Sequence, residues 1–222
     1  MDEELKKNML KTGTSIVGIV CKDGIVIASD KQTTLGELMV ANKDTLKIIK
    51  VNDYFVAAEA GVVSDTQLMI KLVRAELKLK ELKSKSRPTI KEASNLMGML
   101  VYNNIRKFSP ILGITAFITA GIEEDGTFSL FSLDPTGAVT EVKDYYANGS
   151  GMTFIFGFLE RKYKENLSIQ EGVEIAIESL KSSTQRDLAS GYGIDVFTIT
   201  KEGIKQVVAQ EIKPEYKQKK TT

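Results

Sequence analysis

Residues 13–30 have the sequence GTSIVGIVCKDGIVIASD, and this stretch decides the first element of the fold. Two runs rich in β-branched apolar residues, 14–21 and 24–29, meet at the dipeptide Asp23-Gly24. An Asp-Gly pair between two such runs is a strong signal for a β-hairpin with a tight turn. The stretch is therefore predicted to form two antiparallel strands, and similar runs at residues 46–51 and 54–60 are predicted to be further strands of antiparallel sheet.

Beyond this predicted sheet the apolar residues are spaced as in a helix rather than a strand. A surface helix usually buries one apolar stripe against the core and exposes its charged face. The first predicted helix begins near Asp65 and carries lysines and glutamates opposite such a stripe. The residues of the stripe, which are predicted to be buried, are Leu68, Leu72, Ala75, Leu79 and Leu82.

Two capping boxes mark the starts of further helices, because a Thr or Ser followed three residues later by Glu satisfies the first free N–H groups. The pairs are Thr89 with Glu92 and Ser168 with Glu171. Another helix is predicted after Gly149-Ser150-Gly151. The remaining predicted strands lie at residues 112–122, 127–134, 139–146, 194–200 and 204–209.

The order of predicted elements is strands, two helices, strands, two helices, strands. A parallel doubly wound sheet would instead need regular alternation of strands and helices. Two antiparallel sheets packed together, with a pair of helices on each outer face, would bury the apolar stripes. The sequence therefore predicts one α+β domain, and its length of 222 residues is enough for a sizeable core.

The composition is that of a soluble globular protein, with 42% hydrophobic and 27% charged residues. A net charge of +1 argues against a broad surface for nucleic acid, which would show a basic excess. The sequence contains no apolar run near the roughly 20 residues that a membrane helix needs. The charged N-terminal residues MDEELKKNMLKTG lack the apolar segment of a signal peptide, so a cytoplasmic location is expected.

The absence of histidine is the most informative compositional fact. It excludes Ser-His-Asp and Cys-His triads and any histidine-ligated metal site. A catalytic base in this chain must be a lysine, a carboxylate or a free amine. The single cysteine, Cys21, lies in an apolar run and is expected to be a buried structural residue.

Five segments of the chain together resemble archaeal-type proteasome β subunits. Each alone is a weak signal, but they occur in order in a chain without histidine, and the likeness extends from residue 14 to about residue 209. The segments are residues 11–24, 27–30, 60–67, 149–151 and 185–191. The resemblance implies the four-layer αββα sandwich of N-terminal-nucleophile hydrolases, which agrees with the predicted order of elements.

The resemblance also implies how the chain is divided. Residues 1–13 would be a propeptide, the leader, removed by autocatalysis, residues 14–210 the catalytic domain and residues 211–222 a tail. Cutting the Gly13–Thr14 bond would give the nucleophile Thr14 a free α-amino group, whose ordinary pKa of about 7.7–8.0 suits a base at neutral pH. Gly13 lacks a Cβ and would let the chain bend for this attack.

Further site residues follow from the resemblance. Lys47 matches the active-site lysine, whose charge would favour the alkoxide of the nucleophile, and Asp30 matches its acidic partner. Because residues 35–43 are one residue longer than the family pattern, Lys47 is assigned by matching the motif KDTLKI at residues 43–48, and Lys43 is the alternative. Gly61 matches the oxyanion-hole glycine, and the residues expected around the terminal amine are Ser150, Asp187 and Ser190.

Two residues are expected to bind substrate. Thr34 matches a position whose backbone binds extended peptide as an added strand. Glu59 matches a position that lines the main specificity pocket. An acid there predicts a preference for basic residues before the scissile bond.

The implied partners are α subunits and other β subunits in stacked seven-membered rings, a regulatory ATPase, and unfolded polypeptide substrates. No cofactor, metal, nucleic acid or membrane is expected. Three alternatives stay open at this point: a non-catalytic β-type subunit that only builds the ring, a bacterial-type ATP-dependent peptidase subunit, and a binding module on a similar sandwich.

Overall fold

The computed structural model describes residues 13–36, 39–213 and 215. Within these residues the chain forms twelve strands and four helices. The strands are β1 (Ile16–Cys21), β2 (Gly24–Asp30), β3 (Thr33–Leu35), β4 (Met39–Asn42), β5 (Ile48–Lys50), β6 (Phe55–Gly61), β7 (Thr115–Ile122), β8 (Phe128–Leu133), β9 (Val139–Val142), β10 (Tyr145–Asn148), β11 (Gly193–Thr200) and β12 (Gly203–Glu211). The helices are α1 (Val63–Ser84), α2 (Ile90–Arg106), α3 (Met152–Lys162) and α4 (Ile169–Thr184).

The strands form two five-stranded antiparallel sheets and one short hairpin. The first sheet has the order β10-β1-β2-β11-β12, and the second has the order β5-β6-β7-β8-β9. The predicted hairpin around Asp23-Gly24 is confirmed, since β1 and β2 pair from Ile16 opposite Ser29 to Cys21 opposite Gly24. The short hairpin β3–β4 had no signal in the sequence, because strands of three or four residues show no measurable periodicity.

The two sheets pack face to face, and each carries a pair of helices on its outer face. Helices α3 and α4 cover the first sheet, while α1 and α2 cover the second. The layer between the sheets is apolar and buried, with Ile16 and Ile27 of the first sheet against Val56 and Ile118 of the second. The predicted α+β, four-layer αββα sandwich is therefore confirmed.

The two predicted capping boxes are present. Thr89 accepts a hydrogen bond from the N–H of Glu92 while the Glu92 side chain accepts one from the N–H of Thr89. Ser168 and Glu171 repeat this arrangement at the start of α4. Local polar pairs thus fix the first turns of both helices, as their sequence indicates.

The predicted buried stripe of α1 is wrong. Leu68, Leu72, Leu79 and Leu82 are exposed, by 43–66%, and Ala75 is exposed as well. The buried face consists of Thr66, Met69, Ile70, Val73 and Leu77. Both sets have helical spacing, so the pattern alone does not choose between them. The choice is made by the connection from β6, which ends at Gly61 just before α1 begins at Val63 and so sets the rotation of the helix.

Two further predictions concern single features of the chain. Cys21 is buried and free, and burial raises the pKa of its thiol to about 12, which fits a structural residue. In the described part of the chain, no helix combines the length and the apolar character needed to cross a membrane. Of the predicted leader only Gly13 lies among the described residues, and the predicted tail lies largely outside them.

Candidate active site

Thr14 lies two residues before β1, in a buried position at the end of the first sheet, and only 5% of its surface is exposed. The pairing of β1 with β2 brings the end of β2 beside it, so that the N–H of Ser15 donates to Oδ1 of Asp30 at 2.9 Å. The hairpin predicted from residues 13–30 therefore sets the distance between Thr14 and Asp30.

Lys47, just before β5, contacts both of these residues. Its Nζ donates to Oδ1 of Asp30 at 2.6 Å and to Oγ1 of Thr14 at 3.2 Å. Both charged side chains are buried, with Lys47 exposed by 4% and Asp30 by 0%. Burial lowers the pKa of Lys47, although the Asp30 carboxylate opposes this shift. A cation with reduced hydration beside a hydroxyl favours loss of the hydroxyl proton.

Asp30 is held in place from several sides. Its Oδ2 accepts the N–H groups of Gln32 at 2.9 Å and of Gly191 at 3.0 Å, in addition to the bonds at Oδ1. Such full hydrogen bonding is what a buried carboxylate needs. The carboxylate therefore fixes the direction in which Lys47 points.

The alternative lysine lies elsewhere. The Nζ of Lys43 is 5.0 Å from the centre of the Tyr192 ring, and the side chain is exposed. The geometry thus brings Lys47, and not Lys43, to Thr14.

The hydroxyl of Thr14 also contacts the peptide group that precedes it. Its Oγ1 donates to the carbonyl oxygen of Gly13 at 2.6 Å. The N–H of Gly13 donates to Oγ1 of Thr34 at 3.2 Å, so this contact of Thr34 is made by its side chain. The bond between Gly13 and Thr14 therefore lies with its carbonyl group beside the hydroxyl.

A polar network surrounds the backbone nitrogen of Thr14. This N–H donates to Oγ of Ser150 at 3.1 Å, and Ser150 in turn donates to Oδ2 of Asp187 at 2.6 Å. Ser190 donates to the same carboxylate oxygen at 2.6 Å. The structure therefore brings together all three residues expected around the amine.

Two serines of this network, Ser15 and Ser183, were not predicted to belong to the site. The hydroxyl of Ser15 contacts the hydroxyls of Ser190, at 2.8 Å, and of Ser183. Ser183 lies on the buried face of α4, where the neighbouring positions are Ala176, Ser179 and Leu180. For Ser183, serines within a mainly apolar stripe were the only available signal.

Gly61 ends β6 with a φ of +118°, a conformation that favours glycine. A Cβ there would lie 2.2 Å from the carbonyl oxygen of Ile114. The N–H of Glu59 donates to the carbonyl of Lys47, and alternate N–H groups of a strand point to the same edge. The N–H of Gly61 therefore points towards the edge where Lys47 and Thr14 lie.

Glu59 is buried, with 7% of its surface exposed, and its Oε2 has no hydrogen-bond partner among the described residues. Burial raises the pKa of Glu59 to about 7, and the Thr66 hydroxyl and the Lys47 charge oppose this shift. The side chain lines a cavity of about 20 Å³ together with Gly13, Thr14, Lys47 and Gly61. A cavity of this size holds about one water molecule.

The chain matches the proteasome subunit family model over residues 10–199. It is 40% identical to the proteasome subunit beta of Nanoarchaeum equitans over 87% of this chain and 96% of the relative. It is 38% identical to proteasome subunit beta 1 of Thermococcus onnurineus over 96% and 98% of the two chains. With the proteasome subunit beta of Methanococcus maripaludis it shares 36% identity over 95% and 94%.

The chain therefore belongs to the proteasome subunit family, and so to the protein-degrading hydrolases. Within that family it is a β-type member, because these relatives are β subunits. Membership also means that it assembles with other proteasome subunits.

Proposed function

We propose that the chain is a catalytic β subunit of the 20S proteasome core, a threonine-type endopeptidase that degrades unfolded proteins. One observation carries the proposal: Oγ1 of Thr14 lies between Nζ of Lys47, at 3.2 Å, and the carbonyl oxygen of Gly13, at 2.6 Å. A hydroxyl so placed has a cation to stabilise its alkoxide and a carbonyl group to attack.

The first reaction is removal of the leader. Oγ1 of Thr14 attacks the carbonyl carbon of Gly13, a C–O bond forms and the Gly13–Thr14 C–N bond breaks. The hydroxyl proton passes to the released nitrogen, which becomes the α-amine. Water then hydrolyses the ester: the bond between the Gly13 carbonyl carbon and Oγ1 of Thr14 breaks, OH adds to that carbon to give the Gly13 carboxyl group, and H adds to the Thr14 oxygen.

The second reaction is turnover of substrate. The α-amine of Thr14 accepts the hydroxyl proton as Oγ1 attacks a substrate carbonyl, and that proton passes to the departing amine. Water, activated by the same amine, then releases the acyl group. Ser150, Asp187 and Ser190 support this role, since their hydrogen-bonded chain ends on the Thr14 nitrogen.

Gly61 supplies the oxyanion hole in this account. Its N–H points towards the edge beside Thr14, and it lines the same cavity as the nucleophile. A backbone donor costs no reorganisation when negative charge develops on the oxygen, and loss of one such donor costs about 10²–10³ in rate in other enzymes.

Glu59 gives the pocket a preference for basic residues before the scissile bond. Its Oε2, which has no hydrogen-bond partner among the described residues, can accept a hydrogen bond from a basic substrate side chain. The positive charge of that side chain would favour the ionised form of the Glu59 carboxyl group. Gly13 forms part of the cavity wall, so departure of the leader enlarges the space.

Fluorogenic peptides ending in Arg, Leu or Glu test this preference. We expect the wild type to cleave fastest after Arg and Glu59→Gln to lose that advantage, because the neutral amide keeps the shape but not the charge. Faster cleavage after Leu that is unchanged in Glu59→Gln would contradict the assignment.

The proposed setting is cytoplasmic, with seven-membered β rings stacked between rings of α subunits and a regulatory ATPase delivering unfolded chains. The contact between Nζ of Lys47 and Oγ1 of Thr14 argues against the alternative of a non-catalytic subunit that only builds the ring. A subunit that catalyses no reaction would not require a buried cation beside this hydroxyl.

The test of the function is Thr14→Ala, compared with Thr153→Ala, which alters an exposed threonine of α3. We expect Thr14→Ala to lose both leader removal, followed by mass spectrometry, and peptide hydrolysis, while Thr153→Ala keeps both. Hydrolysis that survives in Thr14→Ala would exclude this mechanism.

A further inference from the structure

We propose that Ala189 is the positioning residue that restricts self-cleavage to a glycine before the cut. This inference rests on the proposed removal of the leader at Gly13–Thr14. The inference concerns which residue the site accepts at position 13 of the leader. It explains the glycine there by lack of space for a side chain, whereas the sequence alone suggested the freedom of the backbone to bend as the reason.

The contact between Gly13 and Ala189 leaves no space for a side chain. A Cβ added to Gly13 would lie 1.6 Å from Cβ of Ala189, 2.7 Å from its Cα and 2.8 Å from its carbonyl oxygen. Real Cβ atoms essentially never approach another heavy atom within 3.0 Å. Any residue other than glycine must therefore displace either the leader or the segment that carries Ala189.

Gly13 is not free to move, because both of its polar groups are hydrogen-bonded. Its N–H donates to Oγ1 of Thr34 at 3.2 Å, and its carbonyl oxygen accepts from Oγ1 of Thr14 at 2.6 Å. A displacement of Gly13 would take the carbonyl group away from the nucleophile. Misplacing reacting atoms by about 1 Å can cost on the order of 100-fold in rate.

The segment that carries Ala189 is also fixed, by residues of the site itself. The N–H of Ala189 donates to Oδ1 of Asp187 at 3.2 Å. On either side of Ala189, the carbonyl of Leu188 accepts from Nε2 of Gln32, at 2.9 Å, and the N–H of Gly191 donates to Asp30. Retreat of Ala189 would disturb the carboxylates that orient Lys47 and Ser150.

A consequence follows for ordinary substrates. A substrate residue with a Cβ cannot take the position and orientation of Gly13, so we expect its side chain to point into the adjoining cavity lined by Glu59 and Gly61. The leader and the substrates would thus be held differently beside one nucleophile. The leader is selected by lack of a side chain, and substrates by the chemistry of the cavity.

The experiment follows leader removal over time, by intact mass, in full-length variants. We expect Gly13→Ala to be cleaved on the order of 100-fold more slowly than the wild type. Ala189→Gly should still be cleaved after Gly13. The double variant Gly13→Ala with Ala189→Gly should recover part of the lost rate, because it removes the contact at 1.6 Å and leaves those at 2.7 and 2.8 Å with the backbone of residue 189. The matched control combines Gly13→Ala with Leu188→Gly, which adds a glycine to the same segment at a side chain that is 96% exposed.

The control should stay as slow as Gly13→Ala, because it makes the backbone of the segment more flexible but keeps the Cβ of Ala189 that clashes with residue 13. Rapid cleavage of Gly13→Ala, failure of Ala189→Gly to cleave or to rescue, or equal rescue by Leu188→Gly would each overturn the role of Ala189. A wild type that never loses its leader would instead contradict the proposed function on which this inference rests.

Discussion

At the scale of single residues, Lys47 is the side chain on which the account of Thr14 most depends. Replacing it with methionine removes the charge at 3.2 Å from the nucleophile and keeps an unbranched side chain. We expect Lys47→Met to slow leader removal by about 10²–10⁴-fold, the usual range for loss of a group that assists proton transfer.

Lys43→Met is the matched control for this change, because it removes a lysine whose Nζ lies against Tyr192 instead. Time courses of intact mass for the two variants give the comparison. Equal slowing of both variants, or normal cleavage in Lys47→Met, would mean that another group assists Thr14.

Glu59 predicts a pH dependence of stability. Its pKa is raised from 4.5 to about 7 in the folded state, so the folded chain binds the proton more tightly than the unfolded chain. The stabilisation is complete below about pH 4.5 and is lost as the pH rises towards 7, by on the order of 3 kcal/mol. Glu59→Gln cannot titrate and should not show this loss.

Urea unfolding of both proteins between pH 4.5 and 8 measures the difference. We expect the advantage of Glu59→Gln over the wild type to grow through this interval and then level off. A constant difference between the two proteins at every pH would show that Glu59 does not titrate in this range.

At the scale of elements, the capping boxes give a prediction that depends on local structure alone. Thr89→Ala removes the side-chain acceptor for the N–H of Glu92 at the start of α2. We expect the free energy of unfolding to fall by about 1 kcal/mol. Urea midpoints, with Thr153→Ala as the control outside any cap, provide the measurement, and equal midpoints for the two variants would exclude a stabilising cap.

The elements also mark the limit of prediction from sequence. The β1–β2 hairpin and the capped helices are encoded by residues within a few positions of one another, and they agree with the structure. The rotation of α1 depends on how β6 delivers the chain, and two apolar stripes satisfied the same periodicity. Local pattern therefore predicted the helix but not its buried face.

The candidate site likewise combines residues that sequence motifs predicted with contacts that only the structure shows. Thr14, Asp30, Lys47 and Glu59 could be assigned by matching motifs along the chain, and the structure brings all four to one place. The contacts of Ser15 with Ser183, and of Gly13 with Ala189, join residues far apart in sequence. No motif contains both partners, so only the packed sandwich reveals them.

At the scale of the whole molecule, the four layers hold the site at the ends of both sheets. Thr14 precedes β1 of the first sheet, and Asp30 ends β2. In the second sheet Lys47 precedes β5, and β6 carries Glu59 and Gly61. The segment between α4 and β11 closes the site with Asp187 and Ser190. The contacts around Thr14 therefore form only when the sandwich is assembled, so the proposed self-cleavage would follow folding.

The most direct test of the central claim is the N-terminal residue of the purified wild-type protein, read from its intact mass and from its first peptide. The account predicts that residues 1–13 are lost and that the chain begins at Thr14 with a free amine. A chain that keeps Gly13 joined to Thr14 and still hydrolyses peptides would contradict the account.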